Sequence, residues 1–174
     1  MFKTPAVAAF SAAWRALCGS TLTPHYRTAF QELPAELIPR LMVLEAVPTD
    51  KYIIRFMGTV RTQMWGADLT GRDIVSLMSP QVATPARKNM ATSLLHPCGM
   101  YYVVNVVTPS GREAITEHIT VPAANDPGYP QRLVNFAEEI SILAYTDPRP
   151  VIQDISERRW IDVGVGVPTK PPAK

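Results

Sequence analysis

The residues of this 174-residue chain that could do chemistry are few: three histidines, two cysteines, and a scatter of serines and carboxylates. Cys18 and Cys98 have neither the spacing of a metal site nor that of a redox pair, and read as reduced thiols of a reducing compartment. Ser93 and Ser110 lack the G-x-S-x-G elbow of a hydrolase nucleophile, and Cys98 has no spaced histidine and amide to activate it. Glu138 and Glu139 are adjacent, as are Glu117 and His118. Neighbours on a strand point to opposite faces, so neither pair can share a proton. The chain is therefore expected not to be an enzyme. Binding chemistry is better served. Thr116, His118 and Thr120 recur at every second position, so one strand face would carry two hydroxyls and an imidazole. If that face looks inward, its polar groups need partners there. Arg55 stands among apolar strand residues and is expected to pair with Asp68 or Asp73.

The elements that must position these groups follow from turn and period signals. Thr4-Pro5 starts a helix, with Thr4 as its cap and Pro5 at the first helical position. Val7, Phe10, Trp14 and Leu17 then form one apolar stripe, and Gly19 closes the helix. Residues 20–40 make a linker with Pro24, Pro34 and Pro39. Leu41 to Val47 and Tyr52 to Met57 read as two strands joined by the turn residues Pro48 to Lys51. Gly58 stops the second strand, Thr59 caps a short helix from Val60 to Trp65, and Gly66 ends it. Ser79-Pro80 opens a longer helix over about 82–95, apolar at Val82, Pro85 or Ala86, Met90 and Leu94, and His96-Pro97 ends it. Met100 to Val107 and Glu113 to Val121 form a hairpin across Thr108-Pro109-Ser110-Gly111. After a loop at 122–130, Gln131 to Leu143 is the last strand, with Val134 and Phe136 on one face. From Thr146 the tail is rich in proline, including Pro148 and Pro150. Trp160, Ile161 and Val163 should dock it, leaving only 169–174 loose.

Composition fits a globular protein: 47% hydrophobic and 18% charged, with a net charge of +2 and a pI of about 8.6. The positive charge is dispersed, and Arg87-Lys88 and Arg158-Arg159 are the only adjacent basic pairs, so nucleic acid is not expected as a partner. No apolar run is long enough for a bilayer, and Phe10, Trp14 and Arg15 interrupt the alanine-rich start that would otherwise suggest a leader. The expectation is a cytoplasmic protein with no membrane partner.

The segments Arg55-Phe56-Met57-Gly58-Thr59 and Trp65-Gly66-Ala67-Asp68-Leu69-Thr70-Gly71-Arg72 carry a more specific signal. They resemble the PAS sensory domain family, in the version found in small, stand-alone bacterial PAS proteins. The likeness extends to Pro24-His25-Tyr26-Arg27 upstream and Arg159-Trp160-Ile161-Asp162-Val163-Gly164 downstream. The resemblance implies an α+β, PAS-like five-stranded antiparallel sheet with short helices over one face. It divides the chain into an N-terminal flanking helix at 1–20, a PAS domain at 21–145 and a proline-rich extension at 146–174. It also implies a sensory or regulatory module that relays a signal through protein contacts, to an unidentified signalling protein. Flanking helices of PAS proteins often pair, so the stripe Val7, Phe10, Trp14 and Leu17 is expected to form a homodimer; docking on the chain's own core is the other outcome.

In the PAS arrangement a cavity lies between sheet and helices. Its walls would come from Trp65, Met78, Met90, Leu94, Tyr102 and Phe136. Trp65, Met90, Tyr102 and His118 are the candidates for touching a ligand, their apolar bulk and few polar tips being the make-up of small-molecule pockets. These residues either fill a core or hold a ligand, and a carrier of a small molecule or haem, or a minor enzyme using the same cavity, is the alternative function. The cofactor stays unknown. Haem held by a helix histidine would need a ligand further back than His96, which reads instead as a residue interacting with the helix dipole. Residues 58–80 hold no Asn-Cys-Arg-type motif for a photoreceptor flavin.

Overall fold

The computed structural model describes residues 1–19, 23–147 and 151–174; the expected boundary at 20/21, and Pro148 and Pro150, lie outside the described residues. Among the described residues no helix is long and apolar enough to cross a membrane. Thr4 caps helix α1 (Pro5–Cys18), its hydroxyl accepting from the Val7 N–H at 3.3 Å, with Pro5 in the first turn. A second device holds this end. Glu117 is fully buried beneath it, and its carboxylate accepts from the backbone N–H groups of Lys3 and Thr4 and from the Thr4 hydroxyl. A carboxylate at a helix N-terminus satisfies orphan donors and opposes the dipole. Helix α2 (Tyr26–Glu32) follows, started by the His25 imidazole, whose Nδ1 accepts from the Arg27 N–H.

Strand β1 (Leu41–Val47) forms a hairpin with β2 (Lys51–Met57), and Asp50 takes a left-handed φ of 57° in the turn. Helix α3 (Thr59–Trp65) then begins at Gly58 and ends at Gly66, which is left-handed at φ 70°. Gly58 itself has an ordinary φ of −66°. It is glycine because the chain passes over Pro39, whose carbonyl oxygen would sit 2.3 Å from an added Cβ. A 3-10 turn (Ile74–Leu77) leads to α4 (Pro80–Leu95). The strands β3 (Gly99–Val107), β4 (Arg112–Ala123), β5 (Arg132–Tyr145) and β6 (Val151–Ile161) complete the chain.

The strands make one antiparallel sheet in the order β2-β1-β5-β4-β3-β6. The class is α+β, as expected, but among the described residues the sheet has six strands rather than five. The added strand is β6, within the stretch expected to be an extension. Its register against β3 shifts twice, between Val103 and Val104 and between Asn105 and Val106, so its apolar residues do not alternate and no period-2 signal marks it. Two cores flank the sheet. One lies under α3, the 3-10 turn and α4 and includes Met42, Ile54, Trp65, Leu77 and Met90. The other lies under α1 and α2, where Phe10 stacks on Phe136 with ring centroids 4.8 Å apart. Val7, Phe10 and Trp14 are thus buried against the chain's own sheet, Leu17 packs half-buried beside them, and Cys18 is buried as well. The tail also docks to its end: Trp160 Nε1 donates to the Lys170 carbonyl at 2.9 Å, and Ala173 is bound through its backbone, so 169–174 is not loose.

Arg55 differs from expectation as well. Its guanidinium meets Glu45 on β1 at 2.8 Å, and Arg132 of β5 meets the other oxygen at 3.1 Å, so one carboxylate ties three strands. The aspartates serve backbone donors instead. Asp68 accepts from the Thr70 N–H and hydroxyl, and Asp73 accepts from the N–H groups of Tyr52 and Val75.

Candidate ligand cavity

Alternation along β4 sends Glu117, Ile119 and Val121 toward α1 and Thr116, His118 and Thr120 toward α3 and α4. The second set is buried and hydrogen-bonded. His118 Nε2 bonds the Thr116 hydroxyl at 2.8 Å, and the Tyr102 hydroxyl meets that of Thr120 at 2.9 Å. Tyr102 lies directly across from His118 in the β3–β4 register, and their rings stack at 4.9 Å. Asn135, opposite Thr120 on β5, donates from Nδ2 to the Tyr102 and Thr120 hydroxyls at 3.0 and 2.9 Å and points to His118 Nδ1 at 3.4 Å. The two ring nitrogens of His118 thus face the Thr116 hydroxyl and the Asn135 amide. Burial first, then the nearby Arg61 cation, hold His118 well below its ordinary value of 6.5, so it is neutral at pH 7. Burial raises the Tyr102 phenol.

This network forms one end of a cavity of about 40 Å³ between the sheet and the helices. Met42 and Leu44 of β1, Met78, and Met90 of α4 supply apolar walls, while Trp65 and Arg61 close it from α3. A side void of about 10 Å³ shares Arg61, Trp65 and His118. Space of this size is large enough for a water molecule or a small group, and polar side chains form part of its wall. All four candidates, Trp65, Met90, Tyr102 and His118, line the same cavity. Met78 lines it too. Phe136 does not: it lies on the opposite face of the sheet, under Phe10. Val134 and Phe136 do share a face, but period 2 does not say which layer that face meets, and Asn135 takes the inward position instead.

Arg61 is the residue that sequence reasoning passed over. It is 2% exposed, and its Nε and Nη1 have no hydrogen-bond partner among the described residues. Desolvation lowers it to about 10, still a cation at neutral pH. The signal that could have found it is its spacing. Arg61 is four residues before Trp65, so the two share a helix face, and Trp65 is a candidate for the inward side. At the cavity's edge stand Asn89 of α4 and Arg158 of β6. Asn89 exchanges two hydrogen bonds with the Ala173 backbone, at 3.0 and 2.7 Å, and Arg158 Nη1 donates to the same carbonyl at 2.7 Å. The tail is therefore fastened where the cavity meets the surface. His96 ends α4 outside this space, beside the tail.

No protein-family model matches the chain, and no curated protein matches it. Solved structures similar to it are PAS and LOV domains. The LOV protein of Rhodobacter sphaeroides aligns over 58% of this chain at 13% identity and a TM-score of 0.47; the alignment spans 58% of that protein's own chain. The PAS domain of a protein from Colwellia psychrerythraea aligns over 66% of this chain and 93% of its own, at 10% identity and a TM-score of 0.46. The PAS domain of Bordetella pertussis BvgS aligns over 67% and 88%, at 12% identity and a TM-score of 0.46.

Proposed function

We propose that the chain is a PAS-type sensory module that holds a small ligand between its sheet and its helices. The observation that carries this reading is the cavity itself. It sits in the centre of the fold, where a purely structural core would be filled, and Trp65, Met90, Tyr102 and His118 converge on it. Its polar end is preorganised, since each hydrogen-bonding side chain there is fixed by another. Its walls include methionines that can adapt to an occupant. The signal is relayed through protein contacts, to a signalling partner or a second copy of the chain. α1 spends its stripe on its own sheet, so a homodimer through this helix would use its outward side. The tail, tied to Asn89 and Arg158 beside the cavity, is the segment best placed to feel occupancy.

The reading is non-catalytic. Cys98 is buried and its thiol is pushed up to about 11, so it is no nucleophile at neutral pH, and His118 has both ring nitrogens engaged. Native mass spectrometry and visible absorbance of the purified chain test the proposal. A retained small molecule, or a thermal shift with members of a metabolite collection, is the expected result. A protein that retains nothing and responds to no compound would leave only an interaction module.

A further inference from the structure

A guanidinium sealed in a protein interior normally has a carboxylate against it, because an unpaired cation is costly to take out of water. Arg61 has none among the described residues. It is 2% exposed, and two of its three nitrogens lack any partner. Glu139, the acidic residue that shares the side void with it, is already bound by Arg112. Among the described residues no Asp or Glu lines the main cavity. The other polar groups of that wall cannot compensate: Tyr102, Asn135 and His118 are neutral and spend their hydrogen bonds on one another and on Thr116 and Thr120. The cavity thus presents one buried cation with unspent donors, Arg61, beside a ring of fixed dipoles; the second cation of its lining, Arg158, stands with Asn89 at the edge, and its Nη groups donate to the Ala173 and Ile155 carbonyls.

We propose that Arg61 is the counter-ion of an anionic ligand, and that this ligand is a small monocarboxylate with an apolar body. The inference rests on the reading of the cavity as a ligand site and adds the ligand's chemical class. A guanidinium offers a planar fork that matches a carboxylate's two oxygens. One buried cation neutralises one negative charge. A dianion such as a phosphate monoester would bring a second negative charge, and the other cation of the lining, Arg158, stands at the edge with its Nη groups already donating to the Ala173 and Ile155 carbonyls, while His118 stays neutral. Met42, Leu44, Ile74 and Met90 line the remaining space and suit a short hydrocarbon chain or a ring. The limited volume, about 40 Å³, keeps that body small.

The test pairs charged probes with neutral isosteres on the full chain. Acetate, butanoate and benzoate are compared with acetamide, butanamide and benzamide, and with phenyl phosphate, by calorimetry and thermal shift at neutral pH. Carboxylates should bind roughly tenfold to a hundredfold more tightly than their amides, the difference expected of a hydrogen bond to a charged group. Arg61→Met should erase that preference while leaving amide binding in place, and Arg61→Lys should retain part of it. Should Arg61→Met fail to fold, the carboxylate–amide comparison on the wild type decides alone. Equal binding of amides and carboxylates would overturn the counter-ion while upholding the ligand site. Stronger binding of phenyl phosphate would overturn the monocarboxylate class. If none of the probes binds the folded wild type, the inference falls, and a neutral molecule retained in native mass spectrometry would show that the cavity reading survives it.

Discussion

Replacing Arg61 by methionine should stabilise the ligand-free protein, an unusual outcome for a substitution at a buried position. Burial brings the guanidinium down from its ordinary value to about 10, which places the cation ~3 kcal/mol above its free energy in water. Methionine keeps much of the apolar stem and brings no charge. Lost stem contacts offset part of the relief, leaving a net gain of ~1–3 kcal/mol. The sign of the pH dependence follows. The folded state binds the Arg61 proton less tightly than the unfolded state, so the penalty is fully present below pH 10 and is relieved only above it. The gain should therefore be the same at pH 6 and pH 8. Urea unfolding of ligand-stripped protein reads it as a higher midpoint with an unchanged slope. A loss of more than ~1 kcal/mol on replacement would mean that Arg61 is held by a favourable partner, and would refute the reasoning.

Two glycines should fail for different reasons. Gly58→Ala drives a Cβ to within 2.3 Å of the Pro39 carbonyl, a backbone atom, and should cost ~1–3 kcal/mol or more. Gly71→Ala meets open space and bears only the left-handed penalty of φ 87°, ~1–2 kcal/mol; a smaller loss at Gly58 in urea titrations would contradict this. His118 is neutral in the fold and its value lies well below 6.5, so the unfolded chain takes up a proton as pH falls below 6.5 while the native state does not. Stability should drop through that window in the wild type and drop less in His118→Gln; parallel pH profiles would count against a buried neutral imidazole. Glu117→Gln removes the charge that holds the N–H groups of Lys3 and Thr4. It should cost ~1–3 kcal/mol and speed amide exchange in the first turn of α1, and unchanged exchange would show that the cap is dispensable.

Local chemistry was enough to read much of this fold from the chain alone. Thr4-Pro5 starts a helix, Gly66 ends one, Thr108 to Gly111 turns a hairpin, and Thr116, His118 and Thr120 share a face. Each follows from dihedral preference or side-chain period within a few residues, and each is present. The candidates Trp65, Met90, Tyr102 and His118 could be brought to one cavity because the element order set which helices cover the strands. Other features depend on contacts between distant segments, and periodicity is blind to them. Phe136 alternates correctly but meets α1, because period 2 groups residues without saying which layer covers the group. Arg55 finds Glu45 rather than an aspartate, because pairing is decided by which strand lies alongside. β6 carries two register shifts that erase its alternation, and becomes a strand only because β3 has a free edge. Arg61 reads in the sequence as an ordinary polar residue of a short helix. Its meaning arises when α3 folds over the sheet and closes a cationic group against a cavity that no carboxylate of the described residues lines.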